Sequence, residues 1–226
     1  MGGRGADYDA PGPDRNGNSN YGNGPAPDIK DLREQIGPKG KQIPMERAYK
    51  DANPNHDITG QYAAYNENCQ RCIVAYELRR RGYDVTALPT YKGDKLPQVA
   101  YYGRNGEDYD RWQGAFRGAK PESIKGKNAG EVFKNLKDKM SGFGPGSRAV
   151  VSIVYKNRNY GHVFNVENRN GTIYAVDAQT GERLRTQAFL KLADPKRVTV
   201  VRTDNLRISD RAKNFVTAES AYKRRR

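Results

Sequence analysis

Alternating and continuous apolar positions are clearest in the C-terminal half of the chain. Residues 149–155 are nearly all apolar and predict a central strand. Residues 162–167 and 172–177 flank an Asn-Gly dipeptide, which is typical of a two-residue hairpin turn. Residues 197–203 predict a further strand. Together these segments predict an antiparallel meander.

A helical spacing of apolar residues occurs in three other places. Residues 29–36 form a short amphipathic stretch, and residues 130–140 form a longer one. Residues 69–81 predict a helix with Asn68 as its N-cap and Gly82 just beyond its end. Its three final arginines suit the negative end of the helix dipole, and we expect them to be solvated. Helices combined with an antiparallel meander predict an α+β fold.

Composition divides the chain into four parts. Residues 1–28 contain Gly, Pro, Asn and Asp with almost nothing apolar, so we expect a disordered arm. Residues 29–53 predict a linker that carries the short helix. Residues 54–205 predict the folded domain, and residues 206–226 predict a basic C-terminal tail.

One stretch inside the domain has little periodicity. Residues 90–128 are rich in Tyr, Gly, Lys and Asp and predict a long loop, with a short strand at 98–102. The loop carries Trp112, the only tryptophan. Trp112 either lines a substrate cleft or anchors the loop, and the sequence leaves both roles open. Asn66, just before the cysteine pair, is the second candidate for such a cleft.

The overall composition restricts the class of protein. Hydrophobic residues make up 35% of the 226 residues, which predicts a modest core. No run of about 18 apolar residues occurs, so a transmembrane helix is not expected, and the N-terminus lacks a secretory-signal pattern. The net charge of +14 permits contact with nucleic acid, an anionic surface or an acidic protein. No nucleic-acid motif accompanies it, so we expect at most weak nonspecific contact with nucleic acid.

The only two cysteines, Cys69 and Cys72, lie at the start of the helix predicted for residues 69–81. A helix start has free backbone N–H groups and the positive end of the dipole, and both favour the nucleophilic thiolate. The Cys-x-x-Cys spacing also occurs in zinc sites and redox pairs. No second ligand pair and no preceding βαβ strand support those uses, so we expect no metal and no cofactor.

A histidine and a carboxylate lie on the predicted hairpin. If Asn170 and Gly171 are its two turn residues, His162 pairs with Gln179; a slip of two residues would place His162 opposite Asp177. In either register these three side chains project from the same face, because strand side chains alternate. A helix-start cysteine with a strand-borne histidine and carboxylate is the arrangement of a papain-like cysteine enzyme.

Three motifs resemble the papain-fold toxin family. They are Asn-Cys-x-x-Cys-x-x-Ala-Tyr-Glu-Leu-Arg-Arg-Arg-Gly-Tyr-Asp-Val at residues 68–85, Gly-His-Val-Phe-Asn-Val at 161–166 and Tyr-Ala-Val-Asp-Ala-Gln-Thr-Gly at 174–181. The family comprises predicted glutamine deamidases found in bacterial polymorphic toxins and in head-associated proteins of tailed phages. The resemblance covers roughly residues 54–185.

The resemblance implies a papain-like α+β fold, in which the catalytic helix packs on an antiparallel sheet. It also implies a triad in which Cys69 is the nucleophile, His162 the general base and acid, and Asp177 the residue that orients the ring. Gln179 would support this triad by stacking beside it or by hydrogen bonding within it.

Two details of the expected site stay open. The nucleophile is Cys69 or Cys72; Cys69 is favoured because it follows the cap directly, and the other cysteine would then pack beneath it. The oxyanion would rest on backbone N–H groups at the helix start, with the side-chain amide of Asn68 or Asn66 as a further donor.

The resemblance implies a cysteine-dependent amidohydrolase that acts on protein glutamine side chains, as a toxin or a phage-delivered protein. The same triad would serve a protease or an acyl transferase, and a phage head component would keep the fold without turnover. The implied partners are a protein substrate with an immunity protein, or phage head and portal proteins. The expected location is the bacterial cytoplasm, the virion or a target cell.

Overall fold

The computed structural model of the protein describes three segments of the chain, residues 36–56, 63–90 and 111–218. The predicted arm at 1–28 and the predicted strand at 98–102 lie outside these residues, as does all but the last residue of the predicted helix at 29–36.

The helices of the described residues are α1 Met45–Lys50, α2 Ala63–Asn66, α3 Cys69–Arg80, α4 Ala129–Phe143 and α5 Thr186–Leu190. The longer strands are β4 Arg148–Tyr155, β5 Gly161–Arg169, β6 Thr172–Asp177 and β8 Ala193–Arg202. The short strands are β1 Val85–Ala87, β2 Phe116–Arg117, β3 Glu122–Ser123, β7 Glu182–Leu184, β9 Arg207–Ile208 and β10 Val216–Ala218. Two 3₁₀ helices, Arg111–Ala115 and Asp210–Asn214, complete the set. No helix in these segments is long and apolar enough to span a membrane.

The main sheet is antiparallel, has six strands and runs in the order β3-β8-β4-β5-β6-β7. The strand predicted at 149–155 is central in it, because β4 lies between β5 and β8. Alternate side chains of β4 enter two different cores: Val150 packs in the cluster that contains α3, and Val151 packs in the cluster that contains α4 and α5. Both faces of the sheet are therefore covered by helices, and the predicted α+β class is confirmed.

The hairpin of β5 and β6 has the first of the two predicted registers. Arg169 pairs with Thr172 and Asn165 with Val176, so Asn170 and Gly171 form the turn. Both turn residues have positive φ, 51° and 88°, as a type I′ turn requires. The regular pairing of β5 with β6 ends at Asn165, so His162, three residues earlier in the chain, lies beyond the paired part of the hairpin.

The helix α3 ends as its sequence predicts. The N–H of Gly82 donates to the carbonyl of Arg79, and that of Tyr83 donates to the carbonyl of Leu78, which is the Schellman arrangement. Gly82 has a φ of 98°, and a Cβ there would lie 2.4 Å from the carbonyl oxygen of Gly40. Only glycine fits this end of the helix.

The prediction that the final arginines of α3 are solvated is wrong. Their side chains are at most 14% exposed, and each pairs with a carboxylate. The pairs are Arg79 with Asp84 at 3.0 Å and Asp51 at 3.2 Å, Arg80 with Glu167 at 2.7 Å, and Arg81 with Glu77 at 2.7 Å. These arginines still place positive charge at the negative end of the helix dipole. They do so inside the protein, because later strands cover this end of the helix.

The folded unit also extends beyond the predicted 54–205 boundaries. In the predicted linker, α1 packs against α3 and buries Met45, Ala48 and Tyr49. In the predicted tail, β10 pairs with β1 and β9 pairs with β2. The described residues from 207 to 218 are therefore part of the fold. Strands of two or three residues are too short to show a period, so the sequence pattern missed them.

Candidate active site

The start of α3 meets the ends of β5 and β6. Cys69 is the first residue of α3, His162 is the second residue of β5, and Asp177 is the last residue of β6. All three are buried, with 1%, 7% and 5% of their surfaces exposed. The fold therefore brings together three residues that are spread over more than a hundred positions of the sequence.

The imidazole of His162 lies between the other two side chains. Its Nε2 is 2.8 Å from Oδ2 of Asp177, and the thiol of Cys69 is near enough to the ring to raise the pKa of His162. Because Nε2 faces the carboxylate, Nδ1 is the ring nitrogen left for the thiol. The arrangement gives the ring one partner that orients it and one partner with which it can exchange a proton.

The environment of the pair favours its charged form. Burial by itself would lower the pKa of His162, but the charge and hydrogen bond of Asp177 and the contact with Cys69 raise it well above the ordinary value. Burial would likewise raise the pKa of Asp177, but the charge and hydrogen bond of His162 hold it below the ordinary value. Backbone N–H groups of Gln179 and Thr180 add to that lowering.

Cys72 has different surroundings from Cys69. It is completely buried one turn into the helix, and its thiol donates to Oδ1 of Asn68 at 3.1 Å. Burial, reinforced by the charges of Cys69 and Asp177, raises the pKa of this thiol well above the ordinary value. Cys72 is thus held as a neutral hydrogen-bond donor beneath the site.

The side chain of Asn68 does not act as the predicted helix cap or as an oxyanion donor. It makes no capping hydrogen bond, although its backbone carbonyl accepts the N–H groups of Arg71 and Cys72. Its Nδ2 donates to Oδ1 of Asn53 at 3.2 Å and to the carbonyl of Leu88 at 3.1 Å. The amide is therefore committed to buried acceptors and has no donor left for a substrate.

Asn53 is a buried member of the site that the sequence analysis missed. Its Nδ2 donates to the carbonyl of Tyr65 at 2.8 Å and to the carbonyl of Gln179 at 3.0 Å. With its bond to Asn68, this one side chain ties the segment before α3 to the turn after β6. The sequence showed only an Asn-Pro-Asn turn at residues 53–55, and its partners are up to 126 positions away.

Gln179 supports Asp177 through its backbone, and its side chain bonds to Asn68. Its N–H donates to Oδ1 of Asp177 at 2.9 Å, while the ring of His162 occupies Oδ2. Its side-chain Nε2 reaches Oδ1 of Asn68 at 3.4 Å. Both carboxylate oxygens of Asp177 thus have donors, and these fix its orientation.

Gly161 sets the position of His162 along β5. A Cβ at Gly161 would lie 1.7 Å from the carbonyl oxygen of Ile153, on the paired strand β4. No other residue fits at this approach of two backbones. The residue before the histidine is therefore glycine for a steric reason, which the isolated Gly-His motif does not reveal.

The two residues proposed for the substrate cleft lie in different settings. Trp112 has no exposed surface; its backbone N–H donates to Oε1 of Gln70 at 3.1 Å, and its ring packs edge-on against Phe116. This burial favours the loop-anchoring role over the cleft role. Asn66 is half-buried at the end of α2, two residues before Asn68. Among the described residues no cluster of three or more His, Cys, Asp or Glu is arranged to hold a metal ion.

Comparison with known proteins agrees with this geometry. A family model described as "Papain fold toxin 1, glutamine deamidase" matches residues 67–182, just over half of the chain. The match spans Cys69, His162 and Asp177 and confirms the resemblance seen in the motifs. No curated protein and no solved structure gives a significant match.

Proposed function

The chain belongs to the papain fold toxin 1 family of glutamine deamidases, and on that premise we propose that it hydrolyses glutamine side-chain amides of proteins through Cys69, His162 and Asp177. The observation that carries the proposal is the position of His162, bonded to the carboxylate of Asp177 and adjacent to the thiol of Cys69 at a helix start. This is the combination that activates a cysteine nucleophile.

The first half of the reaction forms a thioester. The thiol proton passes to His162, and Sγ of Cys69 bonds to the carboxamide carbon of the substrate glutamine. The negative oxygen that results is stabilised by the N–H of Cys69, because the first amides of a helix have no acceptor within the helix. His162 then donates its proton to the nitrogen, the carbon–nitrogen bond breaks and ammonia leaves.

The second half releases glutamate. A water molecule gives a proton to His162, and its oxygen bonds to the thioester carbon. The carbon–sulfur bond breaks, and the proton returns to the departing sulfur. Asp177 keeps its charge throughout; it holds the ring in one tautomer and stabilises the imidazolium that forms twice in the cycle.

Cys69 is the nucleophile in this proposal, and Cys72 is not. The support is the contrast between the two thiols: Cys69 lies beside the base, while Cys72 is completely buried, donates to Asn68 and has a raised pKa. Cys72 serves the site by holding the Asn68 amide.

The biological setting that we propose is a toxin or a phage-delivered protein that modifies a protein of the cell it enters. The family description, a papain-fold toxin, supports it. An immunity protein, or head and portal proteins of a phage, are the partners expected in that setting. A cytoplasmic site of action follows from a protein-glutamine substrate inside the target cell.

The first test measures the alkylation rate of each cysteine separately, by mass spectrometry, from acidic to alkaline pH. We expect Cys69 to be alkylated much faster than Cys72 and to lose that reactivity in His162→Ala. Cys72→Ser, which keeps a donor for Asn68, is the matched control and should leave the Cys69 profile unchanged. If Cys69 reacts no faster than Cys72, or equally fast in His162→Ala, Cys69 is not an activated nucleophile and the proposal is wrong.

The second test identifies the leaving group with a glutamine-containing peptide. Deamidation releases ammonia and converts Gln to Glu in an intact peptide, and Cys69→Ala should abolish this. Cleavage of the peptide would indicate a protease, and transfer to an added amine would indicate an acyl transferase. If Cys69 is alkylated rapidly but no peptide is altered, the protein is better described as a structural component without catalytic activity.

A further inference from the structure

Two large hydrophobic side chains of the described residues are exposed next to the candidate active site. Tyr160 is 39% exposed and Leu192 is 54% exposed. Tyr160 precedes His162 by two residues, and Leu192 follows Phe189 by three. The ring of Phe189 packs edge-on against the ring of His162, with 5.8 Å between centroids. Both exposed side chains are thus tied to the catalytic histidine by short connections.

The two side chains belong to one surface. The ring of Tyr155 packs edge-on against Tyr160 at 5.7 Å, and the N–H of Tyr155 donates to the carbonyl of Tyr160. The next residue, Lys156, donates its N–H to the carbonyl of Leu192 at 2.9 Å. We call the side chains of Tyr155, Tyr160 and Leu192 the apolar rim. Single exposed apolar residues are common on proteins, but a contiguous group beside a reactive site marks a contact surface.

The apolar rim is flanked by positive charges that have no ion-pair partner among the described residues. Lys156, Arg158 and Lys191 are exposed on the same two segments, and none forms an ion pair with another described residue. The acidic residue closest to them in sequence, Asp194, is half-buried and accepts the N–H of Lys196. A partner that covers the rim therefore meets aromatic and aliphatic contacts surrounded by cations.

From this juxtaposition we propose that the apolar rim is the docking surface for the substrate protein, and that it selects glutamines flanked by acidic residues and an exposed apolar residue. The inference rests on the proposed function, because it assigns the rim to the substrate of the same site. Tyrosines make effective anchors in protein interfaces, and charge complementarity around them supplies selectivity and a faster encounter. The exposed amide of a flexible acidic segment would reach Cys69 while its neighbours cover the rim.

Three matched peptides test the selectivity. Each contains one Gln and one Leu at fixed positions, and the flanking residues are all Asp, all Ser or all Lys. Binding is measured by fluorescence anisotropy with Cys69→Ala, and kcat/KM is measured from ammonia release by the unaltered protein. We expect the Asp peptide to be favoured about tenfold over the Ser peptide, with the Lys peptide weakest. The preference should shrink at high salt, since the charges are exposed.

Reversal of the positive charges beside the rim should remove the preference for the Asp peptide. In Lys156→Glu/Arg158→Glu the ratio of Asp peptide to Ser peptide should fall to one or below. Arg169→Glu is the matched control, because Arg169 is exposed at the opposite end of β5, about 26 Å from Gly161. It should keep the ratio. Tyr160→Ser/Leu192→Ser should weaken the binding of all three peptides several-fold.

The outcomes separate this inference from the proposed function. Equal binding of the three peptides, or equal loss of preference in Arg169→Glu, would overturn the inference. Tighter binding of an oligodeoxythymidine than of the Asp peptide would also overturn it and indicate a nucleic-acid surface. If the Asp peptide binds best but no ammonia is released from any peptide, the rim docks acidic segments as inferred and the deamidase function fails.

Discussion

Both ends of α3 have buried polar groups, but the groups at the two ends differ in their ability to exchange protons. At the N-terminal end, the thiol of Cys69 lies beside the imidazole of His162, which is bonded to the carboxylate of Asp177. At the C-terminal end, completely buried Glu77 accepts two hydrogen bonds from Arg148, at 2.8 and 2.9 Å, and one from Arg81 at 2.7 Å. Both ends are polar, yet only the first contains groups that can exchange a proton at neutral pH.

The difference indicates a division of labour along one helix. Guanidinium groups keep their charge at any ordinary pH, so the C-terminal end can only hold the sheet and the helix together. At the N-terminal end, the side-chain amides of Asn53 and Asn68 hold the backbone in place. The thiol of Cys69 and the ring of His162 are left to react. Variants at the C-terminal end should therefore change stability more than thiol reactivity, and variants at the N-terminal end should do the reverse.

Glu77→Ala should have the largest effect on stability. It leaves Arg148 and Arg81 buried without their carboxylate, which costs about 3–5 kcal/mol in the free energy of unfolding. Urea denaturation measures the loss, and the remaining folded protein should still alkylate rapidly at Cys69. The exposed pair of Lys134 with Asp138 provides the control, because Asp138→Ala should leave the denaturation midpoint unchanged. Loss of Cys69 reactivity in folded Glu77→Ala protein would break the proposed division.

Gly161→Ala should come next and should affect both properties. A Cβ 1.7 Å from the carbonyl oxygen of Ile153 forces β4 and β5 apart beside His162, at a cost of about 3 kcal/mol. The ring then loses its place against Cys69, and the alkylation rate at acidic pH should fall. Gly142→Ala in α4 is the control, because no atom lies within 4 Å of a Cβ there; it should be neutral or stabilising. Ordinary stability in Gly161→Ala would show that the strands can separate without cost.

Local signals in the sequence were sufficient for part of the fold and of the site. The Asn-Gly dipeptide at residues 170 and 171 specifies the hairpin register, and Gly82 specifies the end of α3, because each needs a backbone conformation that few residues adopt. The motifs around Cys69 and His162 likewise predicted residues that the fold brings together. In each case the information lies within a few neighbouring residues.

The parts that were missed depend on partners far away in the sequence. The arginine at position 80 looks solvated until Glu167, 87 positions later, covers it. Asn53 looks like an ordinary turn residue until the turn at Gln179 reaches it. The pairing of β1 with β10 involves three residues on each side, which is too short for any periodic pattern. The residues that neighbour these segments in the sequence do not identify the distant partner.

Asn53→Ala should have a smaller effect, and one weighted toward reactivity. It leaves the carbonyls of Tyr65 and Gln179 without this donor, at a cost of about 2 kcal/mol. The turn that follows Asp177 would loosen from the start of α3, so kcat should fall about tenfold with little change in KM. Asn135→Ala is the control, because its amide also donates to a carbonyl but is exposed. If the two variants lose equal stability and kcat is unchanged, Asn53 does not position the active site.

The smallest expected effect is the pH dependence of stability that Asp177 and His162 produce together. The pKa of Asp177 is lowered in the fold, so its contribution is present above the ordinary value of 3.8 and is lost as the pH falls through the lowered value. The pKa of His162 is raised, so its contribution is present below 6.5 and is lost as the pH rises through the raised value. The difference in unfolding free energy between the unaltered protein and Asp177→Asn should therefore be largest between pH 3.8 and 6.5, at about 1.5 kcal/mol, and should shrink on both sides. Urea titrations at a series of pH values measure it, and in a His162→Ala background the alkaline decline should vanish. A difference that stays constant with pH would mean that the pair is not charged in the folded protein, and the contrast between the two ends of α3 would then lose its chemical basis.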